Sequence, residues 1–363
     1  MFRITPPESQ SDKNLTTSRP RIAWLDSLKG FAIICVVVGH VLDGYLKAGS
    51  FPNNGYEEYC IYQVVYAFHM SLFFLVSGFM YAMAYFDAEG RPKWAKLKWQ
   101  LPNIAILYFL FSAFLVAFKV LFVAKYVNGE ASWSDLACSF WQPVFPYWYL
   151  YVLAVYYVVC LALPRWRKWI LPLSISLVLS LLASLITNHE HFSVQYQILY
   201  YLLFFISGIV LQHAKVAISW LAASLGFVAS FVLSLLFWGG GSDWPNDCLN
   251  HQPYLNTLVA LGFCLFFWKL FSSVKALNVS LLNLCGRYCL EIYVTHCFLT
   301  AGFRSILPAL GLTNFWLNVV LNTVLSTALP LLFAIVLQRI GFHDIIFRPA
   351  YFIKSRIEAR AKP

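Results

Sequence analysis

The stretch IAWLDSLKGFAIICVVVGHVLD, residues 22–43, decides the fold of this chain. It is long and apolar enough to cross a bilayer core, which takes about 20 residues of helix. It nevertheless carries Asp26, Lys29, His40 and Asp43. Lys29 and His40 are eleven residues apart, so on a helix they share a face to within about 20° and stand roughly 16 Å apart along the axis. Asp26 lies one turn before Lys29, and Asp43 one turn after His40. Lipid does not tolerate such a stripe, so this face must look into protein or into a watery cavity.

The rest of the composition agrees with a membrane-spanning reading. Of 363 residues, 60% are hydrophobic and 12% charged, with a mean hydropathy of +0.67. A soluble domain carries about twice that charged fraction. The expected fold class is therefore all-α, a polytopic integral membrane helix bundle. Ten spans are expected, at 22–44, 64–86, 102–123, 147–163, 169–187, 196–212, 216–238, 254–271, 281–301 and 315–338, and no soluble domain fits beside them. Residues 1–20, rich in Ser, Thr and Pro, read as a disordered tail. They lack the layout of a cleavable signal peptide, so the first span is expected to stay as a signal anchor. Residues 341–363 form a basic C-terminal tail.

Basic residues cluster in the N-tail, in the second, fourth, sixth and eighth connections, and in the C-tail; acidic residues populate the odd connections. The positive-inside rule then places both termini and the even connections in the cytoplasm. The net charge of +10 is thus a topology signal, and no nucleic-acid partner is expected. The longest outer loops, about 43–63, 124–146 and 239–253, are short enough to shape a cavity mouth but not to form a domain. The nine cysteines show no metal-ligand spacing; a disulfide among Cys60, Cys138 and Cys248 is an open alternative to free thiols.

Several residues have the chemistry for a site. Neutral His40 has the range of a general base, and Asp43 at i+3 is placed to orient its ring. The competing reading has Lys29 snorkelling and His40 satisfying a helix bond. His69, in Phe68-His69-Met70, is a second intramembrane histidine; spans one and two are antiparallel, so His40 and His69 meet in the outer half. Ser77 and Gly78 suit close helix approach. Lys93 and Lys96, in the connection before span three, are either interfacial anchors or a landing site for a phosphorylated donor. Lys119 lies toward the outer end of span three. Arg287 and Glu291 sit at i and i+4, the spacing of an intrahelical ion pair; His296 lies on a different face from Glu291. No phosphate-binding glycine loop, metalloprotease helix or GxSxG elbow occurs, and no nucleophile is evident.

At these residues the chain resembles the membrane acyltransferase-3 family, which includes surface-polysaccharide O-acetyltransferases and fucose-4-O-acetylase-like proteins. The family pattern of Arg or Lys, ten residues, then His is matched by Lys29 and His40. Phe68-His69-Met70 through Phe79, Trp148-Tyr149-Leu150, and Gly286 through His296 resemble three further family segments, with Cys289 where Ser is usual. The resemblance covers nearly the whole chain and implies a transmembrane acyltransferase domain over 21–340. It implies transfer of an acyl group, usually acetyl, from cytoplasmic acetyl-CoA to a hydroxyl of a cell-surface glycan or its lipid-linked precursor, at a bacterial inner membrane. No bound cofactor is implied, acetyl-CoA being the donor substrate. On that reading His40, Asp43 and His69 are catalytic, Lys29, Lys93, Lys96 and Arg287 hold the donor, and Trp148, Tyr149 and Glu291 meet the acceptor. The rival is a transporter or flippase for a glycan or small anion, which would use an ionisable cavity as well.

Overall fold

The computed structural model describes residues 22–49, 51, 56–87, 92–123, 132–162, 169–186, 193–214, 216–236 and 253–360. The expectations for the N-tail and for Cys248 lie outside them. Fourteen α-helices make up the described part, and its one β-type pairing is an isolated bridge between Phe86 and Pro92. They are α1 (Ala23–Ala48), α2 (Tyr56–Tyr85), α3 (Trp94–Phe118), α4 (Trp133–Cys138), α5 (Trp148–Ala162), α6 (Ile170–Ile186) and α7 (Val194–Ala214). Then follow α8 (Trp220–Leu236), α9 (Pro253–Ser273), α10 (Ser280–Arg287), α11 (Cys289–Ala309), α12 (Phe315–Arg339), α13 (His343–Phe347) and α14 (Pro349–Arg360).

The outer helices are apolar outside and polar inside. On α8, Leu221, Leu225, Val228, Val232 and Leu236 are exposed, whereas Ser230 and Ser234 are buried. On α12, Val320, Val324, Leu332 and Phe333 are exposed, whereas Asn318, Asn322 and Ser326 are fully buried. Water would drive the opposite sorting; hydrocarbon outside and a satisfied polar interior produce this one. Asn322, for example, donates to the Thr300 carbonyl at 3.1 Å and accepts from Ser326 at 2.9 Å. The protein is a polytopic membrane helix bundle.

Six helices, α1, α2, α3, α7, α9 and α12, are long and apolar enough to cross a membrane, and α5, α6 and α8 are shorter apolar helices. The ninth expected span is not one helix. It breaks at Tyr288, whose backbone (φ −104°, ψ 24°) leaves the α region between α10 and α11. The C-terminal tail is helical and docked: the Ala350 N–H donates to Asn103 and the Tyr351 hydroxyl to Gln100, both on α3.

α1 is the central helix. No residue from Trp24 to Leu46 is exposed, and α2, α9, α10, α11 and α12 all pack on it. The ionisable stripe therefore faces protein. Two glycine seams set the spacing. A methyl group on Gly30 would overlap the Leu282 carbonyl oxygen, and one on Gly286 the Asp26 carbonyl oxygen, so α1 and α10 touch backbone to backbone. Gly78 and Gly208 bring α2 and α7 together in the same way, against Phe205 and Leu75, which is the close approach expected of Gly78.

Overpacking a tight contact costs about 1–3 kcal/mol. Gly78→Ala and Gly286→Ala are therefore expected to lower the apparent Tm in detergent. Gly302→Ala, in α11 with nothing within 4 Å of its added carbon, is expected to leave Tm unchanged or raise it. Equal melting of all three variants would remove the seams from the account.

Candidate active site

A partly open cleft of about 230 Å³ lies between α1, α3, α11 and the loop before α5. His40, Asp43 and Lys47 enter it from α1, Lys119 from the end of α3, and Cys297, Thr300 and Arg304 from α11. Lys119 opens a short π-helical turn, Lys119–Val123, at the end of α3. Such turns re-aim side chains and are frequent at functional sites.

The loop of residues 139–147 forms one wall and is pinned by tyrosine hydroxyls from three helices. Tyr108 of α3 donates to the Ser139 carbonyl at 2.7 Å. Tyr151 of α5 donates to the Phe140 carbonyl at 2.9 Å, and Tyr293 of α11 to the Pro146 carbonyl at 2.6 Å. Phe145 is thereby held edge-on to His40, with ring centroids 5.6 Å apart. The loop before α5 thus shapes the cleft.

His296 of α11 faces His40 across the cleft floor, with ring centroids 5.1 Å apart. His296 is fully buried. Its Nδ1 lies 2.7 Å from the Tyr293 carbonyl oxygen and 3.1 Å from that of Ile292. Carbonyls only accept, so Nδ1 carries the hydrogen and Nε2 of the neutral ring carries the lone pair. His69 has the same arrangement: its Nδ1 donates to the Val65 carbonyl at 2.8 Å. His69 also lies within electrostatic range of His40. The imidazoles of α1 and α11 thus meet, with that of α2 in electrostatic range. His40 makes no hydrogen bond to any described residue, which leaves both ring nitrogens available to a ligand.

Asp43 does not orient His40. Its carboxylate takes Lys47 at 2.9 Å and the Tyr62 hydroxyl at 3.3 Å. The i+4 lysine competes successfully because it needs no ring in the right rotamer. What holds the His40 ring is packing, Phe145 on one side and His296 on the other.

None of the other candidates lines the cleft. Lys29 is ion-paired with Asp26 at 2.7 Å and nearly buried. Arg287 is exposed at the end of α10, the helix whose Gly286 seats on Asp26. Lys93 is half-buried and Lys96 exposed at the start of α3. All four lie at the basic end of the bundle. Trp148 and Tyr149 are not on the cleft wall: Trp148 packs on Phe74 and Tyr201, and the Tyr149 hydroxyl bonds Ser77 at 2.6 Å. Beginning α5 inside the bundle, after the pinned loop, buries them between α2 and α7.

Glu291 belongs to a third place. The break at Tyr288 destroys the i,i+4 register with Arg287, and Glu291 instead accepts from His343 Nε2 at 2.8 Å. The second nitrogen of His343 lies 3.2 Å from Asp344. Burial alone would lower the His343 pKa, but the hydrogen bonds to Asp344 and Glu291 and their charges outweigh it and raise the pKa to about 9.

Cys297, Arg304 and Phe145 line the cleft without having been singled out from the sequence, and His296 was noted there without a role. The one available signal was the orientation of His296 away from Glu291, which is the orientation that turns it toward His40.

Lipid-facing apolar helices thus surround a cleft lined by His40, against which the buried His296 ring packs. The chain belongs to the acyltransferase-3 family, whose model, an acyltransferase domain, matches residues 22–337. It is a multi-pass membrane acyltransferase. No curated protein and no solved structure matches it. The matched residues contain His40, His69 and His296, whereas His343 lies beyond them.

The His343 tether predicts a pH dependence. A pKa raised by folding stabilises the fold fully below the unfolded value near 6.5, and that stability is lost as pH rises through about 9. Glu291 and Asp344 are its charged neighbours, with Tyr288 and Phe347 packed on the ring. Hydrogen exchange of residues 343–360 is expected to accelerate between pH 6.5 and 9 beyond the intrinsic rate. His343→Gln should be fast throughout and lack that step; an identical profile in both proteins would eliminate the tether.

Proposed function

We propose that this membrane acyltransferase moves an acetyl group from cytoplasmic acetyl-CoA to a hydroxyl of a cell-surface polysaccharide or its lipid-linked precursor. The observation that carries the reading is the placing of His40, with both ring nitrogens unengaged, on the floor of a cleft at the end of the bundle opposite Lys29. Lys29, Arg287, Lys93 and Lys96 lie at the basic end, where cationic groups suit the phosphates of CoA. Roughly 16 Å of helix separates Lys29 from His40, a span for the pantetheine arm. At the cleft, His40 takes the proton of the acceptor hydroxyl as its oxygen attacks the acyl carbon, and the departing thiolate is protonated in turn. His69 and His296 hold the polar environment of that ring.

The cleft wall also suits an acceptor that carries negative charge. Lys47 is paired with Asp43, whereas among the described residues Lys119 and Arg304 have carboxylates, Asp135 and Asp43, in electrostatic range but not in an ion pair. The Arg304 guanidinium reaches the Gly44 carbonyl at 3.4 Å. An acidic saccharide would supply a closer counter-charge.

The test is base-labile acetyl on the host's surface glycan, measured by mass spectrometry at equal membrane abundance of each variant. His40→Ala is expected to lower acetylation by about 10²–10⁴-fold, the usual worth of a general base. Lys119→Met and Arg304→Met are expected to raise KM for the acceptor and flatten its salt dependence while sparing KM for acetyl-CoA. Unchanged acetylation with His40→Ala would remove His40 from the chemistry. Unchanged glycan after deletion of the whole gene would remove the glycan.

A further inference from the structure

Cys297 lines this site within reach of a base. Its Sγ lies 3.3 Å from His296 Nε2, the nitrogen that carries the lone pair because Nδ1 is committed to the carbonyls of Ile292 and Tyr293. The thiol lines the cleft that His40 also lines. Lys119 lies on the same wall, within electrostatic range of Cys297. The turn that carries Cys297 is braced, since its carbonyl accepts from Thr300 at 3.2 Å. The Thr300 carbonyl in turn accepts from Asn322 at 3.1 Å. A thiol, a base within reach and a third group that orients the base are the three parts of an activated nucleophile. The remaining described cysteines are free as well, but Cys297 is the one that lines the cleft.

We propose that Cys297 is a catalytic residue that carries the acyl group between donor and acceptor, with His296 as its base. The proposal rests on acyl-CoA being the donor. In the first half-reaction the Cys297 thiol gives its proton to His296 Nε2, and Sγ attacks the thioester carbonyl of acyl-CoA. The carbon–sulfur bond to CoA breaks, and the CoA thiolate takes the proton from His296 and leaves as the thiol. One thioester replaces another, so no further energy source is needed. In the second half-reaction the acceptor hydroxyl attacks the acyl carbon on Cys297 and its proton passes to His40. The bond to Sγ breaks, an ester is left on the acceptor, and the proton returns to the Cys297 thiolate. The two facing histidines thus serve one half-reaction each. A covalent carrier also relieves donor and acceptor of having to occupy the cleft together.

The test uses the purified full-length chain in detergent and no glycan. A two-step enzyme exchanges labelled CoA into acetyl-CoA without acceptor, whereas direct transfer does not. Wild type is expected to catalyse this exchange, and Cys297→Ala and Cys297→Ser to abolish it. His296→Gln is expected to slow it by on the order of 10²-fold or more. His40→Ala should retain exchange while losing acetyl transfer to glycan. Peptide mapping after acetyl-CoA alone is expected to find hydroxylamine-labile acetyl on Cys297. Should a cysteine variant fail to fold, the wild-type exchange and peptide map decide the matter by themselves. Glycan acetylation by wild type without exchange, or undiminished in folded Cys297→Ala, would overturn the carrier and leave the proposed function standing. Absence of both exchange and acetyl-CoA-dependent glycan acetylation in wild type would overturn the two together.

Discussion

The contact between α1 and α10, where Gly30 meets the Leu282 carbonyl and Gly286 the Asp26 carbonyl, is the constraint on which the rest of the bundle depends. α1 carries groups that cannot face lipid, and it needs neighbours on every side. A partner without side-chain bulk at the crossing lets a short helix seat directly on the backbone of α1. The chain then turns at Tyr288 and sends α11 along the remaining flank of α1. That turn is what lets a single stretch of sequence cover both halves of the central helix. It also places His296 opposite His40 and, five residues nearer the start of α11, Glu291 beside His343.

Much of this was legible in residues taken singly or in pairs. The spacing of Lys29 and His40 gave the buried face of α1, because helical periodicity is local. Gly78 announced a close crossing because a residue without a side chain in an apolar helix has few other uses. What sequence could not supply was register between distant helices. The meeting of His40 with His296 requires the parallel alignment of α1 and α11 to within about a turn. The partner of Asp43 was decided by a lysine one turn further on, and the partner of Glu291 by a break in the helix that an unbroken apolar pattern conceals. Trp148 and Tyr149 look like surface aromatics in the chain, yet the loop before them enters the bundle and takes them inside.

Two neighbouring stretches in the first half of α11 are held by different means. Near Glu291 the helix is tied by an ion pair to a segment beyond the last long helix. Near His296 it is held by backbone carbonyls, a threonine and an asparagine. A tie through charges responds to pH and salt, whereas one through neutral hydrogen bonds does not. The stretch that faces His40 is thus insulated from conditions to which the stretch beside His343 is exposed.

The tyrosine-pinned loop of residues 139–147 has a consequence for which molecules can enter. Each of its three fastenings comes from a different helix, so the loop cannot swing aside as a unit without breaking all of them. What can yield is the Phe145 ring, which is 53% exposed and rests on His40 by edge contact. The doorway is therefore a gauge with a rigid frame and one movable pin. A ligand slim enough to pass when the ring turns is admitted, and a bulkier one is refused whatever its affinity for the groups within.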